Sequence, residues 1–420
     1  MTTYLLTVLL LTGLASGQEW VGFRGPNGSG VSEAAGLPAE FGPSKNLLWK
    51  RPVPFGRSSP VVTEGRIYLT ASEGDKLITL CLDRKTGKLL WRREVPRARH
   101  MPIYKANDPA SPTPVSDGKN VYVFFAELGL ISYGPDGTER WRLPLGPFHN
   151  FYGMGGSPVL AGDTLLMICD QRTKSFLLAV DASTGKVRWK VSRTNLEGYS
   201  TPAIYRPKQG EAQVLVLGSH TLDAYALDTG ERLWWVRQVG SYPKGVPALG
   251  ADVVYVSAQG SDEPIFPPFE AMLKQYDANQ DQRLQHEEMK ADAEAYEHFG
   301  WVDSNEDGYI DEREYEFIRA TSVSGHGLAA IRLGGKGDVT TTHIAWRVTK
   351  SYPDIPAPLL YKGVLYAVKN GGIVTTFNPA TGEVLKTART EAAIEEYYSS
   401  PVAADDKVFL VSQAGKVTVL

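Results

Sequence analysis

The chain repeats itself, and no other feature restricts its fold as tightly. Seven short apolar runs each follow a turn: GRIYLTA at 65–71, KNVYVFFA at 119–126, DTLLMICD at 163–170, AQVLVLGS at 212–219, ADVVYVSA at 251–258, KGVLYAVK at 362–369 and DKVFLVSQ at 406–413. Each has strand length and is rich in Val, Leu and Tyr. Ahead of each lies a segment opened by a proline: Pro60, Pro112, Pro158, Pro202, Pro247, Pro358 and Pro401. Proline lacks the ladder amide, so it suits the first position of a strand. The spacings are 52, 46, 44, 45, 111 and 43, all but one near a common unit.

A third apolar run follows each of these, then a turn and a fourth strand. The turn reads D-x-x-T-G at Asp83/Gly87 and Asp181/Gly185, with shifted forms at Gly137, Gly230 and Gly382. Four residues on stand Trp91, Trp141, Trp189 and Trp234; Trp346 follows a degraded turn, and Lys386 takes the sixth place. The glycine supplies a positive φ, and the indole has the bulk to fill a wedge between neighbouring units. A repeated four-stranded antiparallel unit of this length is a propeller blade. The expected fold is therefore an all-β propeller with seven visible four-stranded blades, or eight if the chain is a fragment. Gly 42 and Pro 27, a sixth of the 420 residues, agree with many tight turns. The seventh unit lacks a fourth strand, and Asn46-Leu47-Leu48-Trp49-Lys50 is expected to supply it and close the ring.

Residues 1–17 read as a cleaved secretory signal: an apolar stretch, then small residues at −3 and −1 before Gln18. It is too short to span a bilayer, and no later stretch reaches 18 apolar residues, so no transmembrane segment is expected. The mature protein is expected to be exported, periplasmic or extracellular. Residues 18–45 form an N-terminal extension, and 46–258 with 325–420 form the propeller.

The one long spacing places an insert, 259–324, in the loop between the second and third strands of unit five. It holds two twelve-residue acidic loops, 277–288 and 303–314, flanked by helical patterns such as Phe269, Met272, Leu273 and Tyr276 on one face. The loops resemble EF-hand calcium loops, and the chemistry accounts for the spacing. Ca2+ takes six to eight oxygens at about 2.3–2.6 Å. The expected donors are Asp277, Asn279, Asp281, the Arg283 carbonyl, Gln285 and Glu288 in the first loop. In the second they are Asp303, Asn305, Asp307, the Tyr309 carbonyl, Asp311 and Glu314. Gly308 fits the sharp turn of the second loop; Gln282 stands there in the first, so the first site is expected to be the weaker.

The D-x-x-T-G-x-x-x-W turn resembles the repeat of the pyrroloquinoline-quinone (PQQ)-like propellers, which include quinoprotein alcohol dehydrogenases and the propeller lipoprotein of outer-membrane protein assembly. WVGFRGPNGSG at 20–30 and NLLWKRPVPFGRSSPVV at 46–62 look like a secreted branch of that superfamily. The resemblance implies an eight-bladed ring in most relatives. Quinoprotein dehydrogenases carry an adjacent cysteine pair over the cofactor. Here Cys81 and Cys169 fall in different units, so PQQ is not expected.

Charge and motifs narrow the function further. A net charge of −3 is too neutral for a nucleic-acid binder. The histidines show no ligand spacing, and neither a haem-attachment motif nor a nucleophile elbow is present. The connections from fourth strands to the next first strands emerge on the same side as the insert, and they are rich in aromatics. Tyr104, His149, Tyr152 and Lys244 are the candidate binding face. The reading is an exported calcium-binding propeller that binds or scaffolds a protein, peptide or glycan, with catalysis left open. The alternatives are a quinoprotein-like oxidoreductase and a hydrolase using the loop face.

Overall fold

The computed structural model describes residues 19–97, 99–101, 103–172, 174–304 and 306–420. The expected signal, 1–17, lies outside the described residues. Seven antiparallel sheets follow in chain order, spanning 61–96, 115–144, 159–192, 203–237, 248–348, 359–389 and 402–419; they are numbered one to seven below. The first six each have four antiparallel strands in chain order, sheet four with a fifth added on its edge and sheet five interrupted by the insert, and the seventh has three. In sheet two the first strand is Val115–Ser116, so its opening proline is Pro114 and not Pro112. Two prolines stand in the sequence SPTP, and only the pairing of Val115 with Tyr122 decides between them.

Each sheet packs on the next. Buried clusters join sheets one and two through Tyr68, Trp91 and Phe125, two and three through Phe124 and Leu178, and three and four through Leu177 and Val216. The series continues through Val236 and Val256, Leu328 and Phe377, and Val368 and Leu410. The tryptophans are the repeated link. In sheets one to six the fourth strand bulges beside one position, filled by Trp91, Trp141, Trp189, Trp234, Trp346 and Lys386. Four of these indoles donate Nε1–H to a carbonyl in the turn of the following sheet: Trp91 to Pro135, Trp141 to Ala182, Trp189 to Leu227 and Trp346 to Pro379, at 2.9–3.0 Å. The ring lies against that turn's glycine. Gly185 has φ 75°, and a Cβ there would stand 2.7 Å from Trp141.

The degraded turn of sheet five breaks the pattern. Here the loop before Ile344–Val348 carries Gly337–Asp338, which pairs in parallel with the fourth strand of sheet four. Trp234 is fully buried and donates instead to Gln213.

Residues 46–50 form no strand and pair with no sheet among the described residues, so the expected closure of sheet seven by Trp49 is not made. Trp49 nonetheless follows the indole rule: its Nε1–H donates to Arg84 at 3.0 Å and its ring lies on Gly87 of sheet one. The side-chain pattern fixes the packing of a fourth strand, but pairing also needs a free edge in reach.

The axis of the sheets is occupied by an arm, residues 20–31. Trp20 pairs with Val62, Val21 accepts from the Ser116 amide, and Asn27 grips both main-chain groups of Ile204. Gly30 and Ser32 bond Ala403. Arg24 is buried and donates to the carbonyls of Gly28, Pro358 and Pro401. Burial lowers its guanidinium to about 10.

Gly185→Ala and Gly162→Ala separate the two demands on the turn glycine. Both impose a side chain on a positive φ, 75° and 64°, but nothing lies within 4 Å of a Cβ at Gly162. Each should lose about 1–2 kcal/mol from backbone strain, and Gly185→Ala a further ~1–3 kcal/mol from overpacking against Trp141. Urea unfolding of both variants measures the difference.

Candidate functional site

The insert leaves sheet five after Val253–Ala258 and returns at Gly327–Arg332, so it rises from the end that bears the connections between sheets. It consists of α1 (Phe269–Tyr276), α2 (Ala293–Val302) and α3 (Glu312–Ser322), with two short strands, Leu284–Gln285 and Tyr309–Ile310, paired antiparallel. Phe269, Leu284, Met289, Phe299, Ile310 and Tyr315 form its own buried core. On α2, Ala295 packs against that core and Ala293 is exposed.

The two acidic loops are built alike. The first carboxylate of each takes two loop amides: Asp277 from Asp281 and Gln282, Asp303 from Asp307 and Gly308. The fifth residue accepts from the seventh, Asp281 from Arg283 and Asp307 from Tyr309. The last residue reaches back to the second and ninth amides: Glu288 to Ala278 and Gln285, Glu314 to Ser304 and Asp311. Gln282 adopts φ 63° where Gly308 has 88°, so the first loop makes the left-handed turn without glycine. Asn305 lies outside the described residues. Among the described residues no three His, Cys, Asp or Glu side chains converge closely enough to hold a metal ion as the loops stand.

The insert sits on the connections. His149 pairs with Glu306 of the second loop at 2.8 Å. Phe151 packs against His298, and Tyr242 against Trp301, both from α2, with ring centres 6.1 and 5.9 Å apart. An aromatic row continues outward: Phe151 to Tyr152, and Tyr152 edge-on to both Tyr104 and Tyr199. Tyr104 and Tyr152 remain 40% and 37% exposed, so both can meet a partner. Of the four expected face residues, Tyr104 and Tyr152 meet, while His149, on the same connection as Tyr152, faces the second loop. Lys244 does not join the row. It donates to Gln259 at 3.4 Å, and burial pulls its ammonium below the ordinary lysine range. A cavity of about 230 Å³ separates the insert from sheets four and five, walled by Leu196, Tyr242, Ile265, Phe266, Trp301 and Ile318.

Beneath the row lies an acid that the sequence did not single out. Glu197 is 1% exposed. It accepts from the Tyr199 hydroxyl at 2.8 Å and the Phe151 amide at 3.0 Å, with Arg172 Nε 3.6 Å away. Burial lifts its carboxyl above 4.5, although these contacts pull the other way. Next to it, Arg193 binds Asp170 through two nitrogens and also reaches Asp223 and Tyr225, all buried. Burial alone would depress the guanidinium, but the surrounding carboxylates hold it above its ordinary value. The only sequence signal for this floor was charge within an otherwise aromatic and small-residue connection.

Known proteins resemble this arrangement. A solved structure, BamB from Moraxella catarrhalis, superposes with a TM-score of 0.52 at 15% identity, covering 84% of this chain and 81% of that one. The fold is a β-propeller. Residues 42–150 match the family described as outer membrane protein assembly factor BamB. A polyvinylalcohol dehydrogenase of Pseudomonas sp is 24% identical over 264 residues, 57% of this chain and 39% of that protein. The chain therefore spans well under half the length of that relative. A quinohemoprotein alcohol dehydrogenase of Pseudomonas putida HK5 superposes with a TM-score of 0.43 at 13% identity, covering 93% of this chain and 75% of that one. No helix among the described residues is long and apolar enough to cross a membrane. Cys81 and Cys169 are buried in separate sheets, so no adjacent cysteine pair exists.

Glu197 makes stability depend on pH. Its raised value favours the neutral acid in the fold, so that contribution is present below about 4.5 and lost as pH rises through the folded value. Glu197→Gln removes this dependence. Thermal melts across pH 4–8 should show the variant gaining on the wild type as pH increases.

Proposed function

We propose that this chain is an exported, calcium-binding β-propeller that works as a binding or scaffold protein, with its partner docking at the loop end beside the insert. The observation that carries the reading is the seat of the insert: the second acidic loop, through Glu306, and α2, through His298, touch the connection that presents His149 and Tyr152, and Tyr152 packs edge-on against Tyr104 of the preceding one. The insert is read as an EF-hand pair. Asp277, Asn279, Asp281, the Arg283 carbonyl, Gln285 and Glu288 would hold one ion, and Asp303, Asp307, the Tyr309 carbonyl, Asp311 and Glu314, with Asn305, the other. The matched loop bonding and the antiparallel pairing of the loops support this fit. Bound calcium would neutralise crowded carboxylates and stiffen the insert, and so couple to anything bound beside it.

The family description names an outer membrane assembly factor, which favours a protein partner and, with the apolar segment before Gln18, export. The second reading is an oxidoreductase, favoured by the dehydrogenase relative. The separated cysteines do not fit the expected cover of a PQQ site, so no chemistry is routed through that cofactor. Spectroscopic titration with PQQ tests this second reading.

Calorimetry of the mature protein should show two calcium sites. Glu314→Gln should abolish the tighter and Glu288→Gln the weaker. Gln282→Gly should strengthen the weaker, by relief of about 1 kcal/mol of strain, roughly fivefold. Absence of any calcium-dependent heat in the wild type ends the calcium reading.

A further inference from the structure

The arm along the axis treats the sheets unequally. In each first strand, the residue two past the opening proline turns its N–H and C=O away from the second strand and towards the axis. In sheet one this follows from the hairpin: Thr63 bonds Arg66, so Val62, opposite Ile67, faces outward. The arm occupies this post repeatedly. Trp20 exchanges both bonds with Val62, Val21 accepts from Ser116, and Gly30 and Ser32 serve Ala403. At Ile204 the partner is a side chain: Asn27 Oδ1 accepts from the amide and Nδ2 donates to the carbonyl, both at 2.8 Å.

Sheets three, five and six receive no such bond at Leu160, Leu249 and Leu360, and of these only Leu160 lines the cavity beside the arm. Between Val21 and Asn27 the arm bends away through Gly22, Phe23, Arg24, Gly25 and Pro26. Leu160 stands two past Pro158, opposite Leu165, in the same register as Val62. By that register its N–H and C=O turn away from the second strand, and no bond from the arm reaches them. They face a cavity of about 400 Å³ bounded by the arm and the first strands of sheets two, three and four. Its walls are mainly apolar, with Phe23, Val115, Pro158 and Val159. At its mouth Arg206 is exposed and makes no ion pair among the described residues. The cavity lies beside the turn at Gly162, which joins first to second strands, and therefore at the end of the propeller opposite the insert.

We infer that this cavity binds a short extended peptide from a partner protein, which pairs its main chain with Leu160 and sets a carboxylate against Arg206. A main-chain donor and acceptor side by side on a mainly apolar wall match one peptide unit, which supplies both complements at the spacing they require. The protein already uses this solution at Val62 and Ala403 with its own arm, and with the Asn27 amide at Ile204. The site is separate from the calcium reading, so either can fail alone.

The test titrates the full mature chain, labelled with ¹⁵N, with the N-acetyl tetrapeptide Val-Thr-Val-Asp bearing a free C-terminal carboxylate. The Leu160 amide should shift saturably while that of Ile204 stays put. Leu160→Pro removes the outward N–H without touching a ladder bond, and should weaken binding at least about fivefold. Arg206→Gln should weaken the free acid by about two- to fivefold and leave the peptide with a C-terminal amide and Asn for Asp unaffected. Should Leu160→Pro not fold, a peptide N-methylated along its main chain replaces it and should bind correspondingly less. An unmoved Leu160 amide at millimolar peptide, or equal affinity of methylated and unmethylated peptides, overturns the proposal. So does uptake of asparagine amide with no tetrapeptide bound, which would mark a small-molecule carboxamide site.

Discussion

An indole sealed on the glycine of the next turn holds this propeller together. The contact is apolar and polar at once: the ring face buries the glycine Cα, and its N–H satisfies a carbonyl one residue past the start of the turn. Neither half works without the other. A side chain at the glycine would push the ring away, and a smaller residue at the tryptophan would strand a turn carbonyl between two sheets. The interaction links each sheet only to its successor, as in other repeat architectures. Local faults are therefore tolerated, as where sheet five has lost its turn and Gly337–Asp338 has been added along the fourth strand of sheet four. Lys386 shows the same tolerance. It stands where the other sheets carry tryptophan, and the strand Val384–Arg389 is exposed throughout.

Most of the fold could be read from the sequence because its determinants are local and periodic. Prolines open strands, turn glycines precede tryptophans, and a single long interval marks the insert. What escaped reading depended on partners distant in sequence. Pro112 and Pro114 both satisfy the local rule for a strand opener, and only cross-strand register separates them. Trp49 has the side-chain pattern of a fourth strand and packs as one, yet nothing in its neighbours' sequence reveals whether an edge lies in reach.

The site divides along the same line. Tyr104, His149 and Tyr152 could be picked out because aromatic residues cluster in their connections. Lys244, from a similar connection, is drawn sideways to Gln259 by contacts that no pattern encodes. Glu197 left only a lone charge as its signal, since one buried acid has no period and its meaning comes from Tyr199, Phe151 and Arg172 closing round it. The acidic loops are the opposite case. The groups that bond within each loop are contiguous in sequence, so the left-handed turn at Gln282 could be anticipated from the spacing.

The arm along the axis has a consequence for the history of each molecule. Arg24 reaches the carbonyl of Pro401, 377 residues further on, and Gly30 and Ser32 hold Ala403. The earliest part of the described chain thus waits for nearly the last part to be made. Each sheet can zip from neighbours in sequence as it emerges, whereas the arm must be kept aside and then threaded past finished sheets, at the entropic cost that long-range contacts carry. Until then the inner strands lie bare to any extended segment nearby. The order of assembly is set by connectivity: sheets first, axis last.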